Sequence, residues 1–176
     1  RAGVDFAFER HLEVDASDDD IATLVRGGGE SDAVAVILSA NVFVGALRAI
    51  ALALAATPDV VVRPSRRDPA FALALCRAAG VRVDESLDVA RVERGEIHVY
   101  GKDETIADIR ARARVRVRGH GSGLGVALVT ASANIVQDAR NLADDVVVFD
   151  QRGCLSPRIV LTPFMVADDF ADALHE

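Results

Sequence analysis

Cys154 is the residue with the widest chemical reach in this sequence. It lies in Asp145-Val-Val-Val-Phe-Asp-Gln-Arg-Gly-Cys-Leu-Ser-Pro-Arg-Ile-Val-Leu161, a polar turn between two β-branched runs at 146–149 and 159–161. Gly153 permits a bend and Pro157 restricts the chain just after it. A thiol presented from such a turn is a nucleophile once ionised, and Arg152 and Arg158 on either side would favour the thiolate. The same cysteine read as a small buried hydrophobe does no chemistry. The local pattern leaves both readings open. Cys76, by contrast, sits among Ala and Leu in a helical stretch and reads as core.

Four further groups carry chemical potential, each with a plainer rival. Asn41, in the loop 39–45, has an amide that can donate to an oxyanion or simply cap the helix that follows. Arg63, Arg66 and Arg67 flank Ser65 in Arg63-Pro-Ser-Arg-Arg-Asp-Pro69, either a phosphate-binding edge or a solvated charged loop. Gly101 and Lys102 precede a helix, where unpaired N–H groups suit an anion. His120, inside the glycine-rich run 119–125, is either an acid/base group or ordinary surface. That run reads as close backbone access for a ligand or as a flexible hairpin. Neither a Walker loop nor a G-x-G-x-x-G is present.

The elements that would position these residues alternate. The run 34–38 is continuously apolar, as in a parallel strand buried on both faces, and leads through the Asn41 loop into a helix over 46–56. The pattern repeats with a strand at 59–62 and an amphipathic helix over 70–79 stopped by Gly80. Strands follow at 96–100, 115–118 and 126–129, a helix at 134–143, and a strand in the cysteine segment. Ser17 before Asp18-Asp-Asp20 reads as an N-cap with carboxylates in the first turn, rather than as a metal site. Gly27-Gly-Gly29 ends that helix. The fold class is α/β, a Rossmann-like open and mostly parallel sheet with flanking helices. Three segments are expected: an N-terminal helical stretch 1–30, an α/β nucleotide-binding domain 31–145, and a truncated catalytic-cysteine segment 146–176.

Composition narrows the function classes. The chain has 176 residues, 51% hydrophobic but only 5% aromatic, with net charge −7. An Ala/Val/Leu core follows, and non-specific nucleic-acid binding is disfavoured. The longest apolar run, 49–57, is too short to span a bilayer. Two distant cysteines and no signal-like start point to a reducing, cytoplasmic compartment. The chain opens on Arg1 and reads as part of something longer.

These motifs together carry a resemblance. Asp150-Gln-Arg-Gly-Cys154-Leu-Ser-Pro resembles the catalytic-cysteine region of the aldehyde dehydrogenase superfamily, more narrowly its acyl-CoA reductase (LuxC-like) branch. Ser39-Ala-Asn41-Val-Phe resembles the loop whose asparagine helps form the oxyanion hole. Val62-Arg63-Pro-Ser65 resembles the Lys-Pro-Ser segment that holds the adenosine ribose. Tyr100-Gly-Lys-Asp-Glu-Thr-Ile106 resembles the turn beside the cofactor pyrophosphate. The resemblance implies an acyl-CoA or other acyl thioester as substrate and NADPH (or NADH) as cofactor. It assigns Cys154 as nucleophile with Asn41 as oxyanion donor, and Arg63, Ser65, Arg66, Gly101 and Lys102 as cofactor contacts. It implies no metal, and assembly as a dimer or larger. Arg63 stands where lysine is usual, and no glutamate occurs around Gly119-His-Gly121, where aldehyde oxidisers carry a general base. An NAD(P)-dependent aldehyde dehydrogenase and a non-catalytic nucleotide-binding module of the same fold remain the alternatives.

Overall fold

The structure, a computed structural model, describes residues 17–40, 44–130, 134–147 and 156–175. These fall into two compact units, divided between Ser122 and Gly123.

The larger unit is built on a five-stranded parallel sheet in the order β3-β2-β1-β4-β5. Its strands are β1 (Val34–Ile37), β2 (Val60–Arg63), β3 (Arg82–Val83), β4 (Glu96–Tyr100) and β5 (Arg116–His120). β1 is buried along its whole length, which is why its sequence shows no polar alternation. Val34 and Val36 face one layer, formed by α2 (Gly45–Ala56) and α3 (Ala70–Ala79). Ala46, Ala49, Ala53 and Ala72 bring those helices close to the strands. Ala35 and Ile37 face the other layer, where Ile106 and Ile109 of α4 (Asp103–Arg112) pack with Val89 of a short 3-10 turn. Helix α1 (Asp18–Gly28) opens with the expected cap: Ser17 Oγ accepts from Asp20 N while the Asp20 carboxylate accepts from Ser17 N. Gly80 ends α3 in the left-handed conformation, φ 66°. No described helix is long and apolar enough to cross a membrane.

The smaller unit pairs β6 (Gly125–Leu128) with β7 (Pro157–Leu161) in parallel, beside α5 (Ile135–Val147) and α6 (Ala167–His175). Val129, Ala139, Leu142 and Phe170 form its core. Two expectations change here. The glycine-rich run does not close a hairpin, because β5 takes β4 as its parallel partner and β6 takes β7. Val146 and Val147 continue α5, where the amphipathic period that buries Ala139 and Leu142 outweighs local β-propensity. By packing, β6 and α5 belong with β7 and α6.

One glycine is a steric requirement of the sheet. Gly95 has φ 74°, and a Cβ there would lie 1.9 Å from the Ala33 carbonyl oxygen, just before Glu96 N donates to that same oxygen at 2.9 Å. Gly95→Ala is expected to destabilise the larger unit by about 2–4 kcal/mol through strain and a broken β1–β4 junction. Urea unfolding followed by circular dichroism would read this as an earlier midpoint at unchanged slope.

Candidate functional site

In an open parallel sheet, ligands bind beyond the carboxyl ends of the strands, where the strand order reverses. Here that point lies between β1 and β4. The segments leaving this edge begin at Leu38 after β1, Pro64 after β2, Gly101 after β4 and Gly121 after β5. Arg63, Ser65, Arg66, Gly101 and Lys102 are therefore gathered on one edge of one sheet. Asn41 and Cys154 lie outside the described residues.

The β2 end forms a cleft of about 310 Å³, lined by residues 63–67 together with Leu38 and Glu85. Pro64 is buried and turns the chain out of the sheet, and Ser65 Oγ then accepts from Arg67 N at 3.2 Å. Arg63 is half-buried, and its Nη1 donates to the Leu87 carbonyl at 3.0 Å. Burial pushes its pKa down from the ordinary value, with Arg112 and Arg66 acting the same way and Asp84 opposing. It stays cationic, but part of its guanidinium is engaged in anchoring the segment after β3. Arg66 and Arg67 are exposed, and their side chains have no hydrogen bond or ion pair among the described residues. They are the cleft's free cations.

At the β4 end, Gly101 N donates to the His120 carbonyl at 3.2 Å, and Lys102 is the exposed N-cap residue of α4, whose side chain makes no cap bond. A Cβ on Gly101 would meet only Thr105, at an ordinary 3.8 Å. The fold itself does not require glycine there. Asp103 and Glu104 already place negative charge in the first turn of α4, so this helix start attracts an anion less than its glycine and lysine alone would. The Asp103 carboxylate accepts from Ser122 N at 3.3 Å and so ties the helix to the turn after β5.

His120 is the last residue of β5 rather than a loop residue. Its ring stacks on Tyr100, its register partner, with centroids 4.3 Å apart and planes 6° from parallel. Burial lowers its pKa, and His98 and Arg118 lower it further. The Tyr100 hydroxyl is buried without a hydrogen-bond partner; burial raises its pKa against the field of Arg48. Below this stack, Glu96 is buried with both oxygens engaged, one by His98 Nε2 at 2.9 Å and the other by Arg118 Nε at 2.8 Å. Burial raises the Glu96 pKa, but the bonds from His98 and Arg118 outweigh that and hold it below the usual value. This ladder escaped the sequence reading. Its signal was the alternation Glu96-x-His98-x-Tyr100 beside Arg116-x-Arg118-x-His120, period-2 polarity on strands that should have been apolar. Cys76 is buried, and burial raises its thiol pKa, which suits the core role expected.

Both shifts have the same sign for stability. His120 and Glu96 bind protons less readily folded than unfolded, so each contributes stability that is present above its unfolded pKa and lost as pH falls through the folded one. Stability should therefore fall in two steps, the first below about pH 6.5 and the second below about pH 4.3. His120→Phe, which keeps a ring against Tyr100, should remove the first step alone, as read from urea midpoints across that range.

Comparison with known proteins places these features in context. The family model described as acyl-CoA reductase (LuxC) matches residues 31–176. No curated protein matches the chain. Among solved structures, the propionaldehyde dehydrogenase of Rhodopseudomonas palustris with bound propionyl-CoA is 16% identical, with a TM-score of 0.64, covering 84% of this chain and 37% of its own. An engineered glycolyl-CoA reductase with bound NADP+ is also 16% identical, with a TM-score of 0.63, covering 84% and 38%. An oxidoreductase from Marinobacter aquaeolei is 17% identical, with a TM-score of 0.66, covering 82% and 35%. At these identities the likeness is one of fold, and this chain spans well under half the length of each of these proteins.

Proposed function

This chain belongs to the acyl-CoA reductase (LuxC) family, and on that premise we propose that it carries the cofactor-binding domain and the nucleophile of an enzyme that reduces an acyl-CoA to an aldehyde. The observation that carries the proposal is the family match over 31–176, which takes in both Asn41 and Cys154. The cleft at the β2 end supports it. Two free guanidiniums, a serine hydroxyl and an apolar rim from Leu38 and Pro64 suit an adenosine ribose with its phosphates.

Cys154, as the thiolate, attacks the thioester carbonyl. The Asn41 amide and the Cys154 N–H hold the resulting oxyanion; one such donor contributes about 3–4 kcal/mol to the transition state. The carbonyl reforms as CoA leaves, and the acyl group stays on the Cys154 sulfur. When bound, a reduced nicotinamide cofactor supplies the hydride that takes this thioester to the aldehyde level. Arg66, Arg67 and Ser65 hold its adenosine end, and Gly101 leaves room for its phosphates beside Lys102. Arg66 and Arg67 favour NADPH over NADH. No glutamate stands near Gly119-His-Gly121, which suits acyl reduction, a reaction that does not need water activated against the acyl-enzyme. A reducing cytoplasm keeps the thiol free.

Incubation with acyl-CoAs of several chain lengths should add the acyl mass to the intact chain, and Cys154→Ala should abolish the gain. The absence of an adduct at every chain length would remove acyl-CoA reduction for this chain.

A further inference from the structure

Taking the 310 Å³ cleft as the seat of the cofactor's adenosine, as proposed above, two of its polar side chains are already engaged. Arg63 is bonded to the Leu87 carbonyl and Ser65 Oγ to Arg67 N. Beside the cleft, Asp84 accepts from both the backbone and the hydroxyl of Ser86. Three charged side chains lining the cleft have no hydrogen bond or ion pair among the described residues: Arg66, Arg67 and Glu85. Glu85 is exposed, but its backbone is fixed on both sides. Asp84 N donates to the Val62 carbonyl at 3.0 Å, Leu87 N to the Asp84 carbonyl at 3.3 Å, and Arg63 grips the Leu87 carbonyl. The cleft thus has a carboxylate on a braced turn after β3, in addition to the guanidiniums from the loop after β2.

We infer that Glu85 sets which nicotinamide cofactor this cleft accepts: its carboxylate receives the adenosine ribose hydroxyls and disfavours the 2′-phosphate that Arg66 and Arg67 attract. A carboxylate is an acceptor only and matches a diol, which donates from both hydroxyls. A 2′-phosphate replaces one of those donors with a charged acceptor, and like charges brought together on a binding surface oppose association. Glu85 therefore works against the NADPH preference of the two arginines, and the balance among the three decides selectivity. No covalent step is involved.

The test compares adenosine 5′-monophosphate with adenosine 2′,5′-bisphosphate, which differ only in the 2′-phosphate, by ligand-observed NMR titration of the chain. Glu85→Gln should shift the ratio of the two dissociation constants about tenfold toward the bisphosphate. Glu85→Asp should leave the ratio near wild type, and Arg66→Gln should move it the opposite way. An unchanged ratio in Glu85→Gln, with both ligands still bound, would overturn the inference and leave the cofactor cleft standing. Failure of the wild-type chain to bind either nucleotide would remove the cleft's assignment, and the inference with it.

Discussion

β1 has no face to give to solvent. Val34, Ala35, Val36 and Ile37 are each at most 4% exposed, and parallel neighbours satisfy the strand on both edges. A strand in that position requires a helical layer above and below, so the chain crosses to one face after β1 and to the other after β4. The crevice at the carboxyl edge follows from that crossing, since the two exits diverge exactly where the sheet order turns. The alanines of α2 belong to the same constraint. Ala46, Ala49 and Ala53 let that helix lie close to Val34 and Val36, which is how a core with so few aromatics fills its volume.

The neighbouring strand departs from this apolar rule on one side only. Ile97 and Val99 join the core with α4, while Glu96 and His98 are buried on the opposite face, where a charge without partners would cost several kcal/mol. Both Glu96 oxygens are engaged, which makes that burial tolerable. His98 Nδ1 and the Tyr100 hydroxyl are buried without a protein partner. One half of the sheet is thus packed like a hydrocarbon and the other is wired with hydrogen bonds. The wired half ends on the edge where Gly101 and Lys102 stand.

Much of this was legible before any coordinates. The apolar run of β1, the Ser17–Asp20 cap and the Gly80 stop are local signals, and each element formed where its residues indicated. Long-range pairing was not legible in the same way. Nothing within 119–125 says that β5 and β6 enter different sheets, because that depends on which strand each meets elsewhere in the chain. Val146 and Val147 have β-branched side chains but follow the helix, Val146 packing against its core while Val147 stays exposed. Arg63, Ser65 and Arg66 share one segment and line one cleft. Glu85 reaches the same cleft from the end of another strand, a coincidence only the fold creates. The assignments of Cys154 and Asn41 rest on their motifs and on the family to which the chain belongs.

Tyr100 is the only tyrosine, and the chain has no tryptophan. Excited beyond the phenylalanine absorption band, this chain emits from one ring, stacked on His120 at the carboxyl edge of the sheet. Most proteins must be labelled to obtain a single optical reporter. This one carries a native fluorophore in contact with an ionisable imidazole, on the edge from which Gly101 and Lys102 leave the sheet.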